Sequence, residues 1–194
     1  MHDLTETMKI LCTEHGFRYY LAWAMILQGW ALVRQEHDVP GIAQMDQGLA
    51  ALQGTGARRS WAYYAALLAE AYGNSGAPGE GLRMLADAFE HVQHTGECWW
   101  EAELHRLKGE LLLSLSADNQ AEAEACWHQA LAVARRQQAK SLELRAAVSL
   151  SRLWQQQGKR AEARELLASI YGWFTEGFDA VDLQEAKALL EALA

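Results

Sequence analysis

Ala69-Glu-Ala-Tyr72-Gly-Asn74-Ser-Gly76-Ala-Pro78-Gly-Glu-Gly81-Leu-Arg-Met-Leu85-Ala-Asp-Ala88 reads as the end of one helix, a turn and the start of a second. Asn74-Ser75-Gly76 breaks the first helix, and Pro78 stands where a helix begins and its missing N–H costs nothing. Two helices joined so tightly must cross closely, which leaves room only for small side chains at the contact. Ala69 supplies one on the first helix, three residues before Tyr72. Gly81, Leu85 and Ala88 give the second helix a small-large-small face.

The arrangement recurs on both sides. Small residues on the first helices fall at Gly29, Ala69, Gly109 and Ser151, at spacings of 40, 40 and 42 residues. Leu32, Tyr72, Leu112 and Trp154 follow three positions later. The second helices repeat Gly41, Gly81, Ala123 and Ala163, then Met45, Leu85, Trp127 and Leu167, then Gly48, Ala88, Ala130 and Ile170. The last of these departs from the small residue expected. In the third unit the second helix starts two residues late, which predicts a longer turn at Ala117-Asp118-Asn119.

This reading places first helices near 17–36, 58–75, 98–116 and 140–157, and second helices near 40–53, 78–94, 119–138 and 159–174. The repeat units span about 17–54, 58–94, 98–138 and 140–174 within one domain, 1–194. Gly54-Thr55-Gly56 and His94-Thr95-Gly96 mark passages between units. A short amphipathic helix over 3–15 precedes them. A capping helix over 180–193 follows, opened by a capping box at Asp182–Glu185 with an apolar stripe of Leu183, Ala186, Leu190 and Leu193. The fold class is all-α: a tetratricopeptide-like α-α superhelix, with a period longer than the usual ~34 residues. Trp127 and Trp154 belong to its core. Adjacent Trp99 and Trp100 point about 100° apart on a helix, so one of them faces outward.

Composition agrees. Half of the 194 residues are hydrophobic, only two are proline, and Ala, Leu, Glu, Gln and Arg dominate. Three scattered cysteines make no disulfide framework and suit a cytoplasmic setting. No apolar stretch approaches the ~20 residues of a membrane span. A net charge of −8 argues against nucleic acid as a partner, although residues 135–164 carry eight Lys/Arg against two Asp/Glu, the solvated faces of two helices.

Glu103–Leu113, Ala121–Ala139, Ser141–Leu150, Leu153-Trp154, Gln157–Lys159 and Tyr171–Asp179 resemble the C-terminal tetratricopeptide region of large bacterial signalling proteins. Those proteins join a class III adenylate/guanylate cyclase or a transcriptional-regulator domain to a STAND-type ATPase. The resemblance covers residues 60–194 well and the first 60 weakly. It implies a fragment of a longer chain, with catalysis upstream and the repeats restraining the ATPase. No Gly-x4-Gly-Lys-Ser/Thr phosphate loop occurs here, so no catalytic residue carries over.

Reactive clusters are few. His91-x2-His94-x3-Cys98 could offer three zinc ligands, but it straddles a helix end and lacks a fourth. Cys126 with His128, or Cys98 with His94, could form a nucleophile pair; residues two apart on a helix face apart, and Cys126 beside Trp127 reads as a buried thiol. Glu101 with Glu103, and Glu122 with Glu124, read as solvated faces. The expectation is therefore no enzyme, no cofactor and no metal.

Function would reside on the concave face lined by the first helices. Its residues are Trp23, Ile26, Trp30, Val33 and Arg34, then Tyr63, Ala66, Glu70, Gly73 and Asn74. Next come Glu103, Arg106, Glu110, Leu113 and Ser114, then Arg145, Val148, Arg152, Gln155 and Gln156. The lining runs from aromatic to charged and suits an extended peptide with an apolar end and an acidic end. The expected function is a non-catalytic protein-interaction and regulatory module, binding a peptide or another domain of its parent chain. Two alternatives stand beside it: a small-molecule sensor enclosed by Trp23, Trp30 and Tyr63, and a homodimerisation module acting through apolar surface near a terminus.

Overall fold

The computed structural model describes residues 2–194, leaving aside the side chains of residues 2 and 3. The described residues form ten α-helices and no strand. They are α1 (His2–Glu14), α2 (Arg18–Val33), α3 (Asp38–Gly54), α4 (Trp61–Asn74), α5 (Pro78–Thr95), α6 (Glu101–Leu115), α7 (Gln120–Gln137), α8 (Lys140–Gln156), α9 (Arg160–Tyr171) and α10 (Val181–Ala192). A single 3-10 turn, Ala117–Asn119, precedes α7, where the longer turn was expected. Consecutive helices pack as antiparallel hairpins: α2 on α3, α4 on α5, α6 on α7 and α8 on α9. Residues group into two compact units that divide between Cys98 and Trp99.

In the first unit, glycine lets backbones meet. A Cβ on Gly29 would lie 2.6 Å from the Gly41 carbonyl oxygen, and one on Gly41 would lie 2.7 Å from that of Gly29. Gly48 is equally tight against Ile26. Across the α4–α5 crossing, Ala69 and Ala88 are wholly buried beside Leu85. Pro78 occupies the first position of α5. Helix α4 also packs on α2 and α3, tied to α3 by the Tyr72 hydroxyl donating to Asp46 at 2.8 Å. Helix α1 covers α2, where buried Gln28 accepts from Lys9 at 2.9 Å and donates to Glu6 at 2.6 Å.

The second unit solves the same crossing with a side chain. Trp127 lies over Gly109, so that a Cβ there would fall 2.5 Å from the indole nitrogen. That indole is buried and donates to the Arg106 carbonyl at 3.0 Å. On α8, wholly buried Ser151 donates to the Ala163 carbonyl at 3.1 Å. Helix α8 packs on α6, α7, α9 and α10 and carries the unit's core. Trp100 and Ala139 pack on a cluster of Ala102, Val133, Ala134 and Leu142, while Trp99 is the outward-facing member of its pair.

Three expectations need correction. Trp154 is only half-buried, because its indole N–H reaches out to Glu124 at 2.7 Å. No capping box forms: α10 starts at Val181 after extended Ala180, no side chain caps it, and Asp182 lies inside the first turn. The buried stripe of α10 is Leu183, Ala186, Leu189 and Leu193, with Leu190 half-buried. Steps of three and four residues allow either leucine, and the neighbours of α10 select Leu189.

Candidate functional site

Helix α2 opens Arg18-Tyr-Tyr-Leu-Ala-Trp23, and spacings of three and four residues bring Tyr19, Tyr20 and Trp23 to one side of its first turns. The Tyr19 and Tyr20 rings meet edge-on with centroids 5.3 Å apart, and Trp23 lies 6.3 Å from Tyr20. Facing them, the start of α4 contributes Arg59, Ser60 and Tyr64, and these six residues line a cleft of about 440 Å³. Ser60 adopts a left-handed conformation with φ of 62°. Its N–H donates to the Glu97 carboxylate at 2.5 Å, which fixes how the chain enters α4.

The cleft holds two polar groups that the first unit does not satisfy. Tyr64 is 5% exposed, yet its hydroxyl hydrogen-bonds to no protein group. Burial, with Tyr19 and Tyr63 adding to it, pushes that hydroxyl's pKa far above the usual tyrosine value, so it stays a donor. Among the described residues, Arg59 has no ion pair, and no carboxylate lines the cleft.

Other residues expected on this face are placed differently. Trp30 lies two turns further along α2, with the Arg34 guanidinium 5.8 Å from its ring. Tyr63 is half-buried, its ring 5.2 Å from that of Tyr64. Glu70 is half-buried and Asn74 is exposed at the end of α4.

In the second unit the charged residues meet one another. Glu103, expected on a solvated face, is instead 3% exposed, because it accepts from Arg106 at 2.7 Å and pairs with Arg145 at 2.8 Å. Glu110 accepts from Ser149 at 2.6 Å and pairs with Arg106 at 3.4 Å. Asp182 stands 4.0 Å from Arg145, and Glu185 pairs with Arg152 at 2.5 Å. Gln155 is half-buried on α8. A further buried carboxylate, Glu143, escaped the sequence reading. Burial alone would raise its pKa, but Lys140 at 2.7 Å and Arg135 at 2.8 Å hold it below the usual carboxylate range. Its signal was present in Lys140-x2-Glu143, a spacing that puts both on one helix face.

A larger cleft of about 780 Å³ lies in the first unit between the α3–α4 connection and α5. Sequence reading missed it because it is shaped by a loop. Its floor is Trp61, whose buried indole N–H has no protein partner, stacked 5.1 Å from His91. Both of its histidines are already engaged. His91 Nε2 lies 3.0 Å from the Arg58 carbonyl and 3.4 Å from Glu97, and His94 pairs with Glu90 at 3.4 Å. His91, His94 and exposed Cys98 therefore do not converge, and the described residues contain no group of three potential metal ligands. Cys126 is buried, and burial raises its thiol pKa; His128 turns toward Glu124 at 3.9 Å. Burial, assisted by Lys108, lowers His105 to about 4, so it is uncharged at neutral pH.

Together these features define an all-helical chain of hairpins with open, aromatic-lined clefts in its first unit. No family model matches the sequence. It is similar to an uncharacterized protein of Rhizobium meliloti (strain 1021), 24% identical over 151 residues. The matched region is 78% of this chain but 15% of that protein's length. No described helix is long and apolar enough to cross a membrane.

Proposed function

We propose that the chain is a non-catalytic recognition module of tetratricopeptide type, which binds a peptide or a domain of its parent protein through the first-helix faces. The observation that carries this reading is the α2–α4 cleft, lined by four aromatic side chains and an unpaired guanidinium. Aromatic residues and arginine are the side chains that dominate binding at protein interfaces. The hairpins support the repeat assignment, since their tight crossings fall at Gly29, Gly109 and Ser151. A match to a small part of a much longer protein supports a module that works alongside other domains; a signalling ATPase or cyclase is the parent that the sequence resemblance implies. The cytoplasm is the compartment that fits three free cysteines.

Recognition centres on the aromatic end, since Arg145 and Arg152 already have carboxylate partners. An array of end-blocked peptides, screened against the chain, tests this. Trp23→Ala is expected to weaken every genuine binder at least tenfold, and Arg152→Glu to leave binding unchanged. Binding that survives Trp23→Ala but fails in Arg152→Glu would move the site to α8.

A further inference from the structure

The open cleft states its own preferences. Four rings set at steep angles to one another offer both faces and edges, and such a lining favours an aromatic occupant. The one charge at its mouth is Arg59, an exposed guanidinium without an ion pair. With no carboxylate in the lining, a cation finds no ion pair and is repelled by Arg59, which offsets its attraction to the rings, whereas an anion gains a charge-assisted hydrogen bond. A donor waits in the cleft, the hydroxyl of Tyr64, whose side chain is largely buried and makes no hydrogen bond to protein. Small-molecule sites usually enclose most of their ligand. This one cannot, because Tyr20 in its wall is 50% exposed and Arg59 lies at the surface. Such a half-open slot suits a side chain carried on a strand that continues over the surface.

We propose that the α2–α4 cleft takes an aromatic side chain from an acidic peptide segment, its ring among Tyr19, Tyr20, Trp23 and Tyr64 and a flanking carboxylate on Arg59. The assignment rests on the recognition reading above and names the chemistry of its partner. Charge selects the segment, and the ring anchors it. A ring bearing a hydroxyl or other polar edge adds a hydrogen bond from Tyr64.

Calorimetry on the whole chain tests this with end-blocked peptides Ser-Glu-Phe-Glu-Ser, Ser-Lys-Phe-Lys-Ser and Ser-Glu-Ser-Glu-Ser. The acidic aromatic peptide is expected to bind at least tenfold tighter than either of the others, and less tightly as salt rises. Arg59→Glu should reverse the order of the first two, an outcome that a merely structural arginine would not produce. Tyr64→Phe should leave the phenylalanine peptide unaffected and weaken its tyrosine counterpart severalfold. Equal affinity for the Glu and Lys peptides, with Trp23→Ala still abolishing both, overturns the charge assignment and leaves the recognition site standing. Binding unaffected by Trp23→Ala overturns both, as does no binding of any peptide. Phenylacetate binding as tightly as the acidic peptide overturns the peptide assignment in favour of a free metabolite. Circular dichroism checks that each variant is folded, and Tyr20→Ser replaces Trp23→Ala if that variant is not.

Discussion

The two units build hairpins from the same small-residue positions and finish them differently. In the first, Gly29 and Gly41 bring backbone against backbone. In the second, Gly109 receives the face of Trp127, and the indole spends its N–H on the Arg106 carbonyl. The first-helix surfaces diverge as well. Aromatic residues at the start of α2 and α4 have no charges to satisfy and leave an open cleft. Charges on α6, α8 and α10 find one another, through Glu103, Arg106, Arg145 and Asp182. A hairpin surface thus becomes available or self-sealed according to whether its neighbouring helices carry complementary charges.

The largest test of this contrast concerns the crossings. Gly29→Ala places a methyl group against a carbonyl oxygen that only a backbone shift can move, and should cost about 3 kcal/mol. That is a fall of about 6–12 °C in Tm for a chain of this size. Gly109→Ala meets the Trp127 side chain, which can shift only by weakening its bond to the Arg106 carbonyl, with the Ala123 carbonyl at 3.0 Å beside it. It should cost somewhat less, about 2 kcal/mol. Urea denaturation with unchanged m-value measures both. If Gly109→Ala proves the more damaging, Trp127 is the more rigid wall and the contrast reverses.

The ion pairs come next. Glu103→Ala takes from Arg106 and Arg145 their shortest carboxylate contacts, leaving the longer ones to Glu110 and Asp182 in place. Removing one partner from a buried pair is costly because the other stays desolvated. The loss expected is about 2 kcal/mol. Glu110→Ala, at a side chain 41% exposed, loses a solvated pair but orphans the buried Ser149 hydroxyl, and should cost about 1 kcal/mol. Near-equal effects would mean that packing on α8, not charge, closes this face.

Helix positions were legible because two signals agreed: small residues at a steady interval, and glycine or proline at the breaks. Pro78 and Gly96 bound α5 where expected. What failed depended on partners. Asp182 carries a capping-box signature, but an arginine from α8 lies near it instead. Leu189 and Leu190 are equivalent to periodicity and are separated only by what α10 packs against. The same limit applies to the site. Trp23 and Tyr63 were named from the repeat, but Tyr19, Tyr20, Arg59 and Ser60 enter the cleft through helix starts and a left-handed Ser60. Glu103, Arg106, Arg145 and Arg152 were expected to line a groove, yet nothing in their spacing says that Arg145 and Arg152 pair with carboxylates across helices.

The smallest effect lies where the two units end their second helices. Helix α5 stops at Gly96, in the left-handed region at φ 71°, with its N–H on the Val92 carbonyl at 2.9 Å. Helix α7 stops at Gln138, in the same region at φ 56°. The sequence marked the first passage with glycine and left the second unmarked, so Gln138 holds a conformation that suits glycine. Its side chain is exposed, and no contact offsets the strain. Gln138→Gly should therefore stabilise the chain by about 0.5–1 kcal/mol, a rise of about 1–4 °C in Tm, while Gly96→Gln should lower it by a similar amount. A neutral Gln138→Gly would show that the flexibility glycine brings to the unfolded chain cancels the relief. The two helix ends would then be equivalent despite their different residues.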